Sequence, residues 1–248
     1  MKDKLKHFIR CAAFFSALLM ALAPTASCQQ KTQQKSAVQA APAAAVSERG
    51  TIWKEIPDKV DSNAKYLFYM HGIIVENEGI RPTSPQHGVY EYEEILRVLA
   101  SKGFIVISEA RPRGTIPTAY AAKVVRQINK LLKAGVSPRH ITVVGASRGG
   151  VIAIAVSSQL RNRDLNFVIM AACGDSPIYR TFRSDLWGNV LAIYDYKDTV
   201  GPCEKFFATA TGLNRHKQIE VRLGVGHGLL YRPLKEWVEP VVEWANMP

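Results

Sequence analysis

Ser147 stands in Gly145-Ala146-Ser147-Arg148-Gly149, a G-x-S-x-G pattern, and a serine in that setting could act as a nucleophile. The β-branched run Ile141-Thr142-Val143-Val144 precedes it, and an apolar stretch from Gly150 to Leu160 follows. The pattern predicts a strand, His140 to Gly145, that turns sharply into a helix with the serine hydroxyl at the apex. Gly145 and Gly149 lack the Cβ atoms that would collide where strand and helix pack closely. The helix N-terminus just beyond the serine favours negative charge nearby.

A serine hydroxyl is a poor nucleophile at neutral pH. It needs a histidine to take its proton and a carboxylate to orient that histidine. After such an elbow the expected order is serine, acid, histidine, with each later residue in a loop that follows a strand. The stretch Asn189 to Val200 opens as an apolar strand and breaks into a polar turn that carries Asp195 and Asp198. The segment Gln218 to Leu223 alternates as a strand and enters Gly224-Val225-Gly226-His227-Gly228, a flexible loop that presents one histidine. His87, His140 and His216 sit before or at the edges of expected elements and read as surface or turn residues.

These residues resemble the α/β-hydrolase family, in particular its esterase and dienelactone-hydrolase-like members. The resemblance covers roughly residues 50 to 248 and implies hydrolysis through a covalent acyl-serine intermediate. It assigns Ser147 as nucleophile, His227 as base and Asp198, in Lys197-Asp198-Thr199-Val200-Gly201-Pro202, as the acid. Asp195, three positions earlier at the strand end, is the competing acid, and the bland alternative for either is a solvated turn carboxylate. The strand Lys65 to Met70 ends in His71-Gly72-Ile73, which is similar to the family's H-G-x oxyanion loop. Backbone N–H groups of Ile73 and Arg148 would then hold the oxyanion. Gly72 would let the backbone approach, and His71 would support the loop from behind. The sequence departs from the H-G-G-G form of some lipases. The segment Gly174 to Gly188, where many relatives insert a lid, is short, so no large lid is expected, and small to medium soluble esters are favoured. In this fold the strands before Cys173 and Cys203 are neighbours, which leaves a disulfide or two partly buried thiols open. The same triad serves peptidases and acyltransferases. From another class, a non-catalytic envelope protein that binds a ligand on the same scaffold is the alternative. No cofactor is implied.

Strand and helix patterns alternate around these residues. Phe104 to Ser108 and Asn166 to Met170 read as continuous apolar strands, as in a sheet covered on both faces. Tyr92 to Leu99 and Ala121 to Leu132 carry helical apolar spacing. Leu234 to Trp244 reads as a closing helix kinked or restarted at Pro240. The expected class is α/β, with a mostly parallel central sheet and helices on both faces. Glu76 to Tyr90, punctuated by proline and glycine, is expected to be a long loop forming one wall of the pocket. Arg111 and Arg113 follow a strand on the same sheet edge as Ser147. Arg111 or Arg113 could hold an anionic substrate group, with Glu76 a further substrate-binding candidate, or else the two arginines pair with Glu109 or Glu76 and brace the loops.

Lys2, Lys4, Lys6 and Arg10 precede the apolar run Cys11 to Leu22, which is too short to span a bilayer with margin. Residues 1–27 therefore read as a bacterial-type secretion signal. Its end, Thr25-Ala26-Ser27-Cys28, resembles a lipobox, with threonine where leucine is usual. Lipidation at Cys28 and simple signal-peptidase cleavage both remain open. Residues 28–47 hold a Gln-, Ala-, Lys- and Ser-rich stretch with almost no bulky apolar residue and read as a flexible tether. Residues 48–248 are enough for one well-cored domain. An exported location is expected, periplasmic or anchored in the envelope, with membrane contact only through a lipid at Cys28. Of the formal charge of +11, the leader contributes +3 (four basic residues against Asp3), which leaves +8. The basic residues are dispersed with no aromatic-interleaved stripe, which argues against nucleic acid as a partner. No Cys/His cluster has metal-ligand spacing.

Overall fold

The computed structural model describes residues 50–174 and 186–248. The leader, the tether, Cys28 and residues 175–185 lie outside the described residues. Nine strands are described in chain order. They are β1 (Ile52–Trp53), β2 (Tyr66–Met70), β3 (Thr83–Ser84), β4 (Gly88–Val89), β5 (Ile105–Ile107), β6 (Ile141–Ala146), β7 (Asn166–Met170), β8 (Trp187–Asp195) and β9 (Gly212–Val221). The helices are α1 (Ile73–Glu78), α2 (Tyr92–Ser101), α3 (Pro117–Lys133), α4 (Arg148–Leu160), α5 (Glu204–Thr209) and α6 (Lys235–Asn246). Seven strands form one sheet in the order β1-β5-β2-β6-β7-β8-β9, and every pairing in it is parallel. β3 and β4 form a separate antiparallel pair.

The central strands β2, β5, β6 and β7 are buried along their whole length and predominantly apolar because both faces of the sheet are covered. Side chains alternate between the faces. Tyr66, Phe68, Met70, Val143, Phe167 and Ile169 join one core with Val124, Ile128 and Leu131 of α3 and Ile152 of α4. Leu67, Tyr69, Val144, Val168 and Met170 join the other with Ile95 and Leu99 of α2 and Trp237, Val241 and Trp244 of α6. In α3 the buried residues Ala121, Val124, Ile128 and Leu131 recur at helical spacing, and Pro117 occupies the first turn, where its missing N–H costs no bond. α6 runs continuously through Pro240 rather than restarting there.

The chain order places the site. From β2 the chain crosses to β5 on one side, and from β6 it crosses to β7 on the other. β2 and β6 are therefore adjacent strands whose connections leave in opposite directions. That switch point opens a crevice at their carboxyl ends. Met70 pairs with Gly145 there, so the His71 loop and Ser147 emerge side by side.

Two expectations are corrected by these elements. The stretch from Glu76 to Tyr90 is not one long loop: α1 takes in Glu76, and the β3–β4 pair follows. β9 begins at Gly212, six residues before the alternation becomes clear at Gln218.

Candidate active site

Ser147 sits between the last residue of β6 and the first of α4, with φ 53° and ψ −118°. A positive φ in a residue with a Cβ costs on the order of 1–3 kcal/mol and persists only where the surroundings impose it. The Ser147 N–H donates to the Met170 carbonyl at 2.8 Å, which pins the turn to β7. Glycine is required around it by contact. A Cβ on Gly145 would lie 2.3 Å from the Gly149 oxygen, and one on Gly149 would lie 1.9 Å from the Met70 oxygen. Gly150, which the motif does not single out, is equally constrained: its Cβ would lie 2.3 Å from that of Ala172. At Gly72 the nearest atoms would be 3.8 Å away, an ordinary contact, so close backbone approach is not what calls for glycine there.

His227 lies in a short 3-10 turn, Gly226–Leu230, anchored by the buried Leu229 and Leu230. Its Nδ1 is 2.8 Å from Oδ2 of Asp198, whose side chain is almost wholly enclosed. Asp198 also accepts the Val200 N–H on its other oxygen at 2.9 Å, which fixes the carboxylate plane. Asp195 is not placed against the imidazole. Its Oδ1 accepts N–H groups of Lys197 and Gly226, both at 3.0 Å, and its Oδ2 accepts those of Leu223 (3.1 Å) and Gly224 (2.9 Å). Asp195 therefore ties the end of β8 to the loop that delivers His227. Burial raises its pKa, but donors from Lys197, Gly226, Gly224 and Val225 outweigh that and hold the carboxyl below its usual range.

Ile73 is the first residue of α1 and Arg148 the first of α4, so neither N–H has an acceptor within its own helix. Behind them lies a buried polar cluster. Arg111 Nε is 2.9 Å from Glu76 Oε1, with both side chains essentially inaccessible. Arg148 Nε is 3.4 Å from the other Glu76 oxygen, and Arg148 Nη2 donates to the Thr115 carbonyl at 2.8 Å. Arg111 also donates through Nη2 to the His71 carbonyl, and its guanidinium lies 5.4 Å from the Tyr120 ring centroid. One carboxylate on α1 thus joins the side chain of Arg148, the residue after Ser147, to the loop that carries His71. The candidate role of Arg111 and Glu76 in substrate binding is corrected by this enclosure, because their charges are spent on each other behind the site. Arg113 is exposed and donates to the Asn77 carbonyl. None of the three lines the cavity beside Ser147.

His71 has no exposed surface. Its Nε2 accepts the Arg111 N–H at 2.9 Å, and its Nδ1 faces the Gly72 carbonyl at 2.8 Å. The acceptor role at Nε2 requires a neutral ring. Burial, and next the Arg111 charge, lower its pKa to about 3.

Ser147 and His227 both line a small cavity walled by Ile73, Ile74, Tyr90, Leu230 and Tyr231. Tyr90 closes the stretch expected to wall the pocket and does line it, whereas no sequence signal marked Leu230 or Tyr231, which reach it only through the fold. Cys173 and Cys203 are joined as a disulfide with Cα atoms 5.0 Å apart. The bridge links the end of the β7 strand to the loop that begins at Asp198. Among the described residues no group of three His, Cys, Asp or Glu side chains could hold a metal ion.

No family model matches this chain, and no curated protein matches it. Solved structures do. A truncated carbohydrate esterase from gut microbiota aligns at 14% identity over 77% of this chain and 90% of that one, with a TM-score of 0.50. EstE5 with PMSF aligns at 13% identity over 77% of each chain, with a TM-score of 0.48. Est1E from Butyrivibrio proteoclasticus with ferulic acid bound aligns at 11% identity over 77% of this chain and 90% of that one, with a TM-score of 0.45. The fold is that of the α/β hydrolases. At such identities the likeness speaks to the fold and not to the substrate. No large lid is evident among the described residues of this α/β-hydrolase fold; the connection from β7 to β8 is short, and its residues 175–185 lie outside the described residues.

Proposed function

We propose that this chain is a serine hydrolase that cleaves carboxylic esters of small to medium soluble substrates through an acyl-serine intermediate. The observation that carries this reading is the convergence on one cavity of Ser147, held at φ 53°, and His227, whose Nδ1 is 2.8 Å from the buried carboxylate of Asp198. With Nδ1–H donating to Asp198, Nε2 of His227 is left as the acceptor for the serine proton.

In the first half-reaction His227 Nε2 takes the Ser147 proton as Oγ attacks the ester carbonyl carbon. The carbonyl oxygen becomes an oxyanion, stabilised by the N–H groups of Ile73 and Arg148. As the carbonyl re-forms, the bond to the alcohol oxygen breaks, and His227 returns its proton to that oxygen. In the second half-reaction water gives a proton to His227 and attacks the acyl carbon. Collapse of that intermediate releases the acid and restores Ser147–OH. Asp198 orients the imidazole and stabilises its cation throughout.

We place the protein outside the cytoplasm of a bacterium, in the periplasm or held to the envelope by lipid at Cys28. The basic and apolar leader and the Cys173–Cys203 bridge support this, because disulfides persist in oxidising compartments.

Fluorophosphonate labelling of the protein beside Ser147→Ala, with short p-nitrophenyl esters in parallel, tests the reaction. Labelling and turnover that both vanish in Ser147→Ala are expected. A folded protein that is neither labelled nor active would turn the search to a ligand-binding role.

A further inference from the structure

The cavity beside Ser147 is small, about 50 Å³. A cavity of about 150 Å³ is what accommodates benzene, so this one seats a group of about two carbons. Resting on the ester-hydrolase reading, we infer that this cavity holds the acyl group and that the substrates are acetyl esters.

The acyl group, not the alcohol, belongs there. It stays bonded to Ser147 Oγ through both half-reactions, while the alcohol must depart before water attacks. A recess closed at its far side by buried side chains suits the part that stays. Tyr90 and Leu230 are each 1% exposed, and Tyr231 is 7% exposed.

Those walls are held from behind, so the recess does not widen cheaply. Tyr90 Oη is 2.8 Å from Tyr69 Oη, and the Tyr90 N–H donates to the Pro82 carbonyl at 2.8 Å. The Tyr90 and Tyr231 rings lie 5.0 Å apart, and the Tyr231 carbonyl accepts the Glu91 N–H at 2.8 Å. Leu230 is packed in the core formed with α2 and α6. A longer acyl chain would have to displace side chains fixed by hydrogen bonds and packing.

The test is kcat/KM on p-nitrophenyl acetate, propionate, butyrate and hexanoate, with fluorophosphonate labelling of the same preparation. Each methylene that cannot be seated should cost about tenfold or more, so butyrate should fall about 100-fold below acetate. Leu230→Ala and, as a variant outside the tightest core, Ile74→Ala should each raise butyrate relative to acetate by about tenfold or more. If butyrate or hexanoate matches acetate in a protein that labels at Ser147, acetyl selectivity is overturned and the ester-hydrolase reading stands. A preference for acetate that neither variant relaxes would place the acyl group elsewhere and also overturn it. If no ester turns over and Ser147 does not label, the ester-hydrolase reading itself falls, and this inference goes with it.

Discussion

Two aspartates three residues apart do different work, and the difference can be measured. Asp198 faces the His227 imidazole, so Asp198→Asn should lower kcat by about 10³–10⁴-fold with little change in KM. Asp195 faces only backbone N–H groups. Asp195→Asn turns an amide donor toward donors and should destabilise the fold by about 1–3 kcal/mol. It should also slow turnover by displacing the histidine loop, and it should slow fluorophosphonate labelling in the same proportion. Urea melts and labelling rates check both; an Asp195→Asn protein with a wild-type labelling rate would show that the loop does not depend on the carboxylate. Ser147 and His227 were legible from the sequence because the elbow pattern and the glycine-flanked histidine are local features. The family resemblance favoured Asp198, but the residue pattern alone kept Asp195 as a competitor, since both lie where an apolar strand turns polar. Only the return of the His227 loop over the end of β8 separates them.

At the scale of elements, α1 was hidden. It is six residues long, is capped by Gly79 and is followed by prolines and glycines, so its stretch read as loop. Its function in the fold comes from Glu76, which reaches Arg111 and Arg148 at once. Removing one partner of a buried ion pair costs about 3–5 kcal/mol. Glu76→Gln should therefore lower the melting temperature by about 10 °C, at about 2–4 °C per kcal/mol in a chain of this size. It should also lower kcat more than it raises KM, because the two helices that carry the Ile73 and Arg148 N–H groups lose their tie. The disulfide is a second element-scale constraint. It closes a sequence separation of 30 residues, so replacing both cysteines by serine should cost about 3–4 kcal/mol. It should also loosen the loop that carries Asp198; thermal melts beside esterase rates measure the two effects. The parallel order of the central sheet, by contrast, was readable from the alternation of apolar strands and amphipathic helices.

For the molecule as a whole, acid should act through His71. In the folded state its ring is neutral, with its pKa lowered to about 3 by burial and by Arg111, whereas the unfolded chain takes up the proton near pH 6.5. Below pH 6.5 the unfolded state binds more protons, so stability falls as pH falls, by up to about 1.4 kcal/mol per pH unit. A loss of about 2 kcal/mol between pH 7.5 and 5 is expected in urea melts. A flat profile over that range would mean that His71 is protonated in the fold. Asp195, with its pKa lowered on folding, contributes stability that is present above its unfolded value of 3.8 and lost only below it, so it adds nothing to that window.

The two ends of the seven-stranded sheet differ in length: β1 has two residues and β9 has ten. An unpaired strand edge is a template for another chain, and a long one is the greater hazard for clumping. β1 is too short to recruit a partner. β9 is long enough, and its protection lies in its side chains: Lys217 and Glu220 are exposed along it, while Arg215 is half-buried over the Trp244 ring and donates to the Pro248 carbonyl. Charges on an edge oppose strand addition. A neighbouring chain would thus meet one edge that is too brief and another that is too charged. Lys217→Thr should make the protein associate with rising concentration in light scattering while each folded monomer keeps its catalytic rate.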